Sequence, residues 1–110
     1  RLARRPGSSP SVAGGSALPY LPTMKVTMVK KRLLSGAECP KCVDATEFLK
    51  QKGVFDRLDA IVWYDESDPE SPGHALAQRF GVERAPFFVV ERPGRDPEAI
   101  DSVMRAYKLL

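Results

Sequence analysis

Beyond Thr23 the hydrophobic and polar positions switch repeatedly between two periods, and the switches mark the elements. "KVTMVKKRLL", residues 25 to 34, is β-branched and apolar and predicts a first strand. "PKCVDATEFLKQKG", residues 40 to 53, changes to helical spacing. Cys42, Ala45, Thr46 and Leu49 then share one face, with Pro40 suited to the first turn and Gly53 to the C-terminal stop. "LDAIVWY" predicts a second strand, the acidic "DESDPES" a solvated loop, and "PGHALAQRFG" a second helix with Leu76 and Phe80 one turn apart. His74, near the start of that helix, is expected at the surface. "PFFVVE" is a continuous apolar run, as in a strand covered on both faces, so Phe87 and Phe88 are expected in the core. After the turn "RPGRDP", Glu98 to Ile100 predict a short last strand. Asp101 is expected to cap a final helix whose apolar stripe is Val103, Met104, Tyr107 and Leu110. The order of elements is β-α-β-α-β-β-α, an α/β domain over residues 24–110.

The first 23 residues follow neither period. They hold four prolines and a Gly/Ser-rich middle, a composition that cannot bury enough apolar surface to offset its ordering entropy. A disordered leader is expected, either upstream sequence ahead of a start at Met24 or a transit-like segment. Glycine, serine and proline interrupt "SVAGGSALPYLP", which therefore lacks the unbroken apolar stretch of about 7–15 residues that a secretory signal needs.

Charge changes the picture only at that end. The net charge of +3 would suit a nucleic-acid binder, but no acidic residue precedes Glu38, and residues 24–110 carry fourteen basic and fourteen acidic side chains. The excess comes from Arg1, Arg4 and Arg5, so the domain itself is not expected to bind nucleic acid. No apolar run approaches the roughly 20 residues of a membrane-spanning helix, and no membrane association is expected. A monomer is expected. With only two cysteines and no secretory signal, the expected location is cytoplasmic, or an organelle if residues 1–23 are a transit peptide.

Both cysteines lie in "ECPKC", Glu38 to Cys42. A zinc or iron–sulfur site normally takes four ligands, and the chain offers Cys39, Cys42 and the single His74, so a metal would have to be shared between two chains. A structural disulfide would close too small a loop to restrict the unfolded chain much. A redox dithiol fits the helix start better. With Pro40 as the first helical residue, Cys39 becomes the N-cap, where its sulfur could accept hydrogen bonds from the Lys41 and Cys42 amides and be favoured as thiolate. Lys41 would push in the same direction, and Glu38 and Asp44 against it. Cys42, a turn further in, would be less exposed and placed to resolve a mixed disulfide. Redox dithiol, shared metal site and a binding module with structural thiols all remain open on these residues.

Two stretches carry a resemblance. "CPKC" is similar to the Cys-Pro-x-Cys of glutaredoxins, with Lys41 where those proteins usually have an aromatic residue. "FGVERAPFFVV", Phe80 to Val90, resembles the thioredoxin-superfamily pattern of aromatic, glycine, aliphatic, two variable residues, a small residue and then proline at the start of the central strand. The resemblance covers residues 24–110. It implies a thioredoxin-like fold with a mixed four-stranded sheet flanked by helices, and a thiol–disulfide oxidoreductase in which Cys39 attacks and Cys42 resolves. It further implies a cis Ala85–Pro86 bond beside Cys39. Ala85 and Pro86 would pair with an extended segment of a protein disulfide substrate or a reductase partner, with Arg84 and Lys41 at its edge. No metal or organic cofactor is implied, since the cysteines carry the electrons. Two features depart from the relatives. Glu38 stands where thioredoxins have tryptophan, and "RPGRDPEAIDS" lacks the Gly-Gly with which glutaredoxins hold glutathione, which argues against glutathione as co-substrate.

Overall fold

The computed structural model describes residues 24–110, and the expected leader lies outside them. The elements are β1 (Lys25–Arg32), α1 (Pro40–Gln51), a 3₁₀ turn (Phe55–Arg57), β2 (Ala60–Asp65), α2 (Pro72–Phe80), β3 (Phe87–Glu91), β4 (Glu98–Ile100) and α3 (Val103–Leu109). The expected order holds, with element ends displaced by at most two residues and a 3₁₀ turn added before β2. The four strands form one mixed sheet in the order β2-β1-β3-β4. β1 runs parallel to β2 and antiparallel to β3, and β4 returns antiparallel to β3. Among the described residues no helix is long and apolar enough to cross a membrane.

The period-2 pattern of β1 and β3 divides the core into two layers. Val26, Met28, Phe88 and Val90 point to one face, where Ala45 and Leu49 of α1, Ile100 of β4 and Ala106 of α3 meet them. Val29, Phe87 and Val89 point to the other face, against Ala77 of α2. Phe87 through Val90 are all buried, so β3 is covered on both sides as its apolar run requires.

Local chemistry sets where the helices begin and end. Pro40 occupies the first turn of α1, whose buried residues are Cys42, Ala45, Thr46 and Leu49. The helix ends two residues before Gly53, whose φ of +73° lets the amide of Val54 turn back onto the Leu49 carbonyl at 3.1 Å. Around α2, the close approach to the sheet depends on Gly73, because a Cβ there would run into the Tyr64 backbone. His74, expected at the surface, is instead half-buried. Its ring stacks on Tyr64 at 3.8 Å, and its Nε2 lies 2.9 Å from the Asp65 carbonyl.

Two expectations for α3 are corrected. Ser102, not Asp101, caps the helix, its Oγ accepting the Arg105 amide at 3.2 Å. Met104 is 49% exposed, and Ala106 takes the inward position. A seven-residue helix has two turns, too few for the stripe to reveal which of two neighbouring phases faces the core.

Candidate functional site

The site begins where β1 outruns its neighbour. β3 pairs with β1 only as far as Val29↔Phe87, so on that side the last residues of β1 have no strand partner. The chain turns back through residues 33–37, with the Leu33 amide donating to the Ala37 carbonyl at 2.8 Å and Gly36 at a φ of +92°. Glu38 then bridges to Arg32. The Cys39 amide donates to the Lys31 carbonyl at 2.9 Å, and the Lys31 amide donates to Cys42 Sγ at 3.3 Å. Both cysteines are thereby fastened to one residue at the end of the sheet.

Their surroundings differ. Both are free thiols, Cys39 partly exposed and Cys42 fully buried. Burial is the main reason the Cys42 thiol is pushed up from an ordinary 9.0 to about 11; the Lys31 amide opposes this, while the neighbouring Cys39 and, least, the Glu38 carboxylate add to it.

The expected cap is not formed as the sequence suggested. Cys39 is the N-cap of α1 with φ −56° and ψ 131°, but its side chain accepts no capping hydrogen bond. Its carbonyl accepts instead, taking the amides of Cys42 at 2.9 Å and Val43 at 3.0 Å. The sulfur thus stands at the helix start with no amide partner among the described residues.

Glu38 has a partner that the sequence reading missed. Lys30 extends its ammonium to 3.0 Å from Glu38 Oε2, with side-chain exposures of 9% and 25% respectively. The contact is an ion pair without the alignment of a directed hydrogen bond. Lys30 also lies 5.1 Å from the centre of the Trp63 ring, and the Arg32 guanidinium covers the same ring at 4.3 Å. The signal was in the alternation: Lys30 follows Val26 and Met28 on the core-facing phase of β1, where a lysine needs a counter-charge.

Beside the helix start a groove of about 350 Å³ opens between α1 and α3. Its walls are Ala45, Phe48, Pro86 and Val103, and its rim carries Lys41, Asp44 and Asp101. Phe48 is held from behind by Tyr107, ring edge to ring face at 5.5 Å. The Ala85–Pro86 peptide is cis. The groove thus brings together Pro86 and Lys41, the residue that follows the helix start at Pro40. Ala85 lies outside its lining. Arg84 is exposed and lines a neighbouring hollow with Phe80, Val82 and Glu83; the two cavities share Asp101.

No family model, curated protein or solved structure matches this chain. Among the described residues no three Cys, His, Asp or Glu side chains gather as a metal site, and His74 is engaged with Tyr64 and Asp65. The arrangement offers one partly exposed cysteine, one buried cysteine three residues on, and an apolar groove that begins at Lys41 between them.

Proposed function

We propose that the protein is a thiol–disulfide oxidoreductase of thioredoxin-like fold acting on protein disulfides, with Cys39 attacking and Cys42 resolving. The observation that carries this reading is the asymmetry of the pair. A partly exposed cysteine at a helix start stands before a fully buried one whose thiol burial pushes up to about 11. The β2-β1-β3-β4 sheet with helices on both faces supports the fold, and the groove reaching from Lys41 to Pro86 supports a docked substrate segment.

The Cys39 thiolate attacks one sulfur of the substrate disulfide. A bond forms between enzyme and substrate, and the other substrate sulfur leaves as a thiolate that takes a proton from solvent. Cys42 then gives up its proton and attacks Cys39 Sγ. The Cys39–Cys42 disulfide forms, and the second substrate thiol departs carrying a proton. Two electrons have passed from the dithiol to the substrate. An external dithiol, or two monothiols, reduces the Cys39–Cys42 disulfide and restores the starting state.

Turnover of a small neutral disulfide, hydroxyethyl disulfide, by the wild type and by Cys39→Ser tests this reading. Wild-type turnover that disappears in Cys39→Ser is expected. Cys42→Ser should accumulate the mixed disulfide, visible as an added mass on intact protein. Turnover that survives loss of Cys39 would overturn the proposal.

A further inference from the structure

Resting on that reading, we infer that the groove between α1 and α3 selects an extended peptide that carries a bulky apolar side chain beside its disulfide cysteine and a lysine or arginine beyond it. The volume of about 350 Å³ sits near the lower end of the roughly 300–1,000 Å³ common for ligand sites, room for one large side chain and a short length of backbone. The walls ask for an apolar group. Phe48 is backed by Tyr107 and Ala45 is buried, so this surface is firm before anything docks.

Charge on the rim decides what lies beside that group. Asp44 and Asp101 are exposed, and among the described residues neither lies within ion-pair distance of a cation; Lys41 is the single positive charge on the same groove. The rim is therefore net negative. The hollow beyond Asp101 adds Glu83 and Arg84, which offset each other. A cationic flank on the substrate is attracted, and an acidic one is repelled. Glutathione, small and itself net negative at neutral pH, matches neither the apolar walls nor this rim. A peptide with an aromatic residue and a basic residue matches both.

The groove begins within one helical turn of Cys39, since Lys41 and Asp44 are the second and fifth residues of α1. A peptide whose cysteine meets Cys39 thus lays its neighbouring residues over Pro86 and Phe48.

Four chromogenic mixed disulfides with thionitrobenzoate test the proposal on the full chain: peptides with phenylalanine and arginine, phenylalanine and glutamate, or glycine and arginine around the cysteine, and glutathione. The phenylalanine–arginine peptide should have the highest kcat/KM. Its lead over the phenylalanine–glutamate peptide should be about three- to tenfold at low salt, the range two exposed carboxylates supply. That lead should shrink at high salt and in the double variant Asp44→Asn, Asp101→Asn. Phe48→Ala should reduce the lead over the glycine–arginine peptide and leave the arginine-over-glutamate ratio standing. Equal rates for the three peptides, or a preference for glutathione, would overturn the groove proposal while hydroxyethyl disulfide is still turned over. Failure of wild type on hydroxyethyl disulfide would instead remove the dithiol reading and this proposal with it.

Discussion

On one face of the sheet α2 lies so close to β2 that Gly73 rests against the Tyr64 backbone; on the other, α1 and α3 part above Pro86 and leave a groove. The same four strands support both arrangements. The difference lies in side-chain size at the contact. A glycine on α2 brings helix and strand backbones together and His74 fills what remains by stacking on Tyr64, whereas Phe48 and Tyr107 hold α1 and α3 apart like a spacer. The closed face has a packing role alone, around Ala77, whereas the open face packs the larger part of the core and also holds the proposed dithiol site. The two roles can be separated by substitution.

Gly73→Ala should have the largest effect on stability. Its new Cβ meets backbone, which cannot move aside as a side-chain tip can, so a loss of about 3 kcal/mol is expected, the upper end of ordinary overpacking. Chemical denaturation measures it, and turnover per folded molecule should stay at the wild-type level, because α2 does not line the groove. A stable variant with impaired turnover would break the separation of the two faces.

Next comes the ion pair beneath the dithiol. Glu38→Ala strands the Lys30 ammonium, whose side chain is only 9% exposed, while the lost carboxylate was 25% exposed. The expected cost is about 2 kcal/mol, below the roughly 3–5 kcal/mol typical of breaking a fully buried pair. Replacing both partners, Lys30→Met with Glu38→Gln, should recover most of it. If the double variant is as unstable as the single one, Lys30 matters through its packing on Trp63 and not through its charge.

The gentlest probe is pH. The Cys42 thiol is raised from 9.0 to about 11, so between those values the unfolded chain loses this proton before the folded one does. The contribution to stability is therefore complete below pH 9 and fades as pH climbs through 11. Denaturant midpoints of the reduced protein should fall across this window, and the fall should be shallower in Cys42→Ala. An identical slope in both proteins would place the titration elsewhere.

How much of this could be read in advance depends on whether a property is local. Pro40, Gly53 and the run from Phe87 to Val90 state their roles within a few residues, and the structure bears them out. The face formed by Cys42, Ala45, Thr46 and Leu49 also follows from helical spacing alone. The Cys39 cap does not, because a backbone in capping geometry leaves the side chain free to rotate away from the amides. Nor does the choice of Ser102 over Asp101, since adjacent residues of equal capping ability differ only in where the strand before them lets the helix begin. The groove lay furthest from view. It joins residues 41–48, 86 and 101–103, and nothing in the pattern of any one segment indicates that α1 and α3 stand apart there.

Lys31 gives the dithiol a second meaning. Its amide and carbonyl point to the side of β1 where β3 has already ended, and Cys42 Sγ and the Cys39 amide occupy the two places that one further strand residue opposite Lys31 would fill. With both cysteines as free thiols, a sulfur lone pair thus serves as the acceptor for the Lys31 amide on the β3 side of β1. In the proposed dithiol cycle, joining that sulfur to Cys39 would change the acceptor that Lys31 meets near the end of β1, so the oxidation state would reach the backbone of the sheet as well as the pair of side chains.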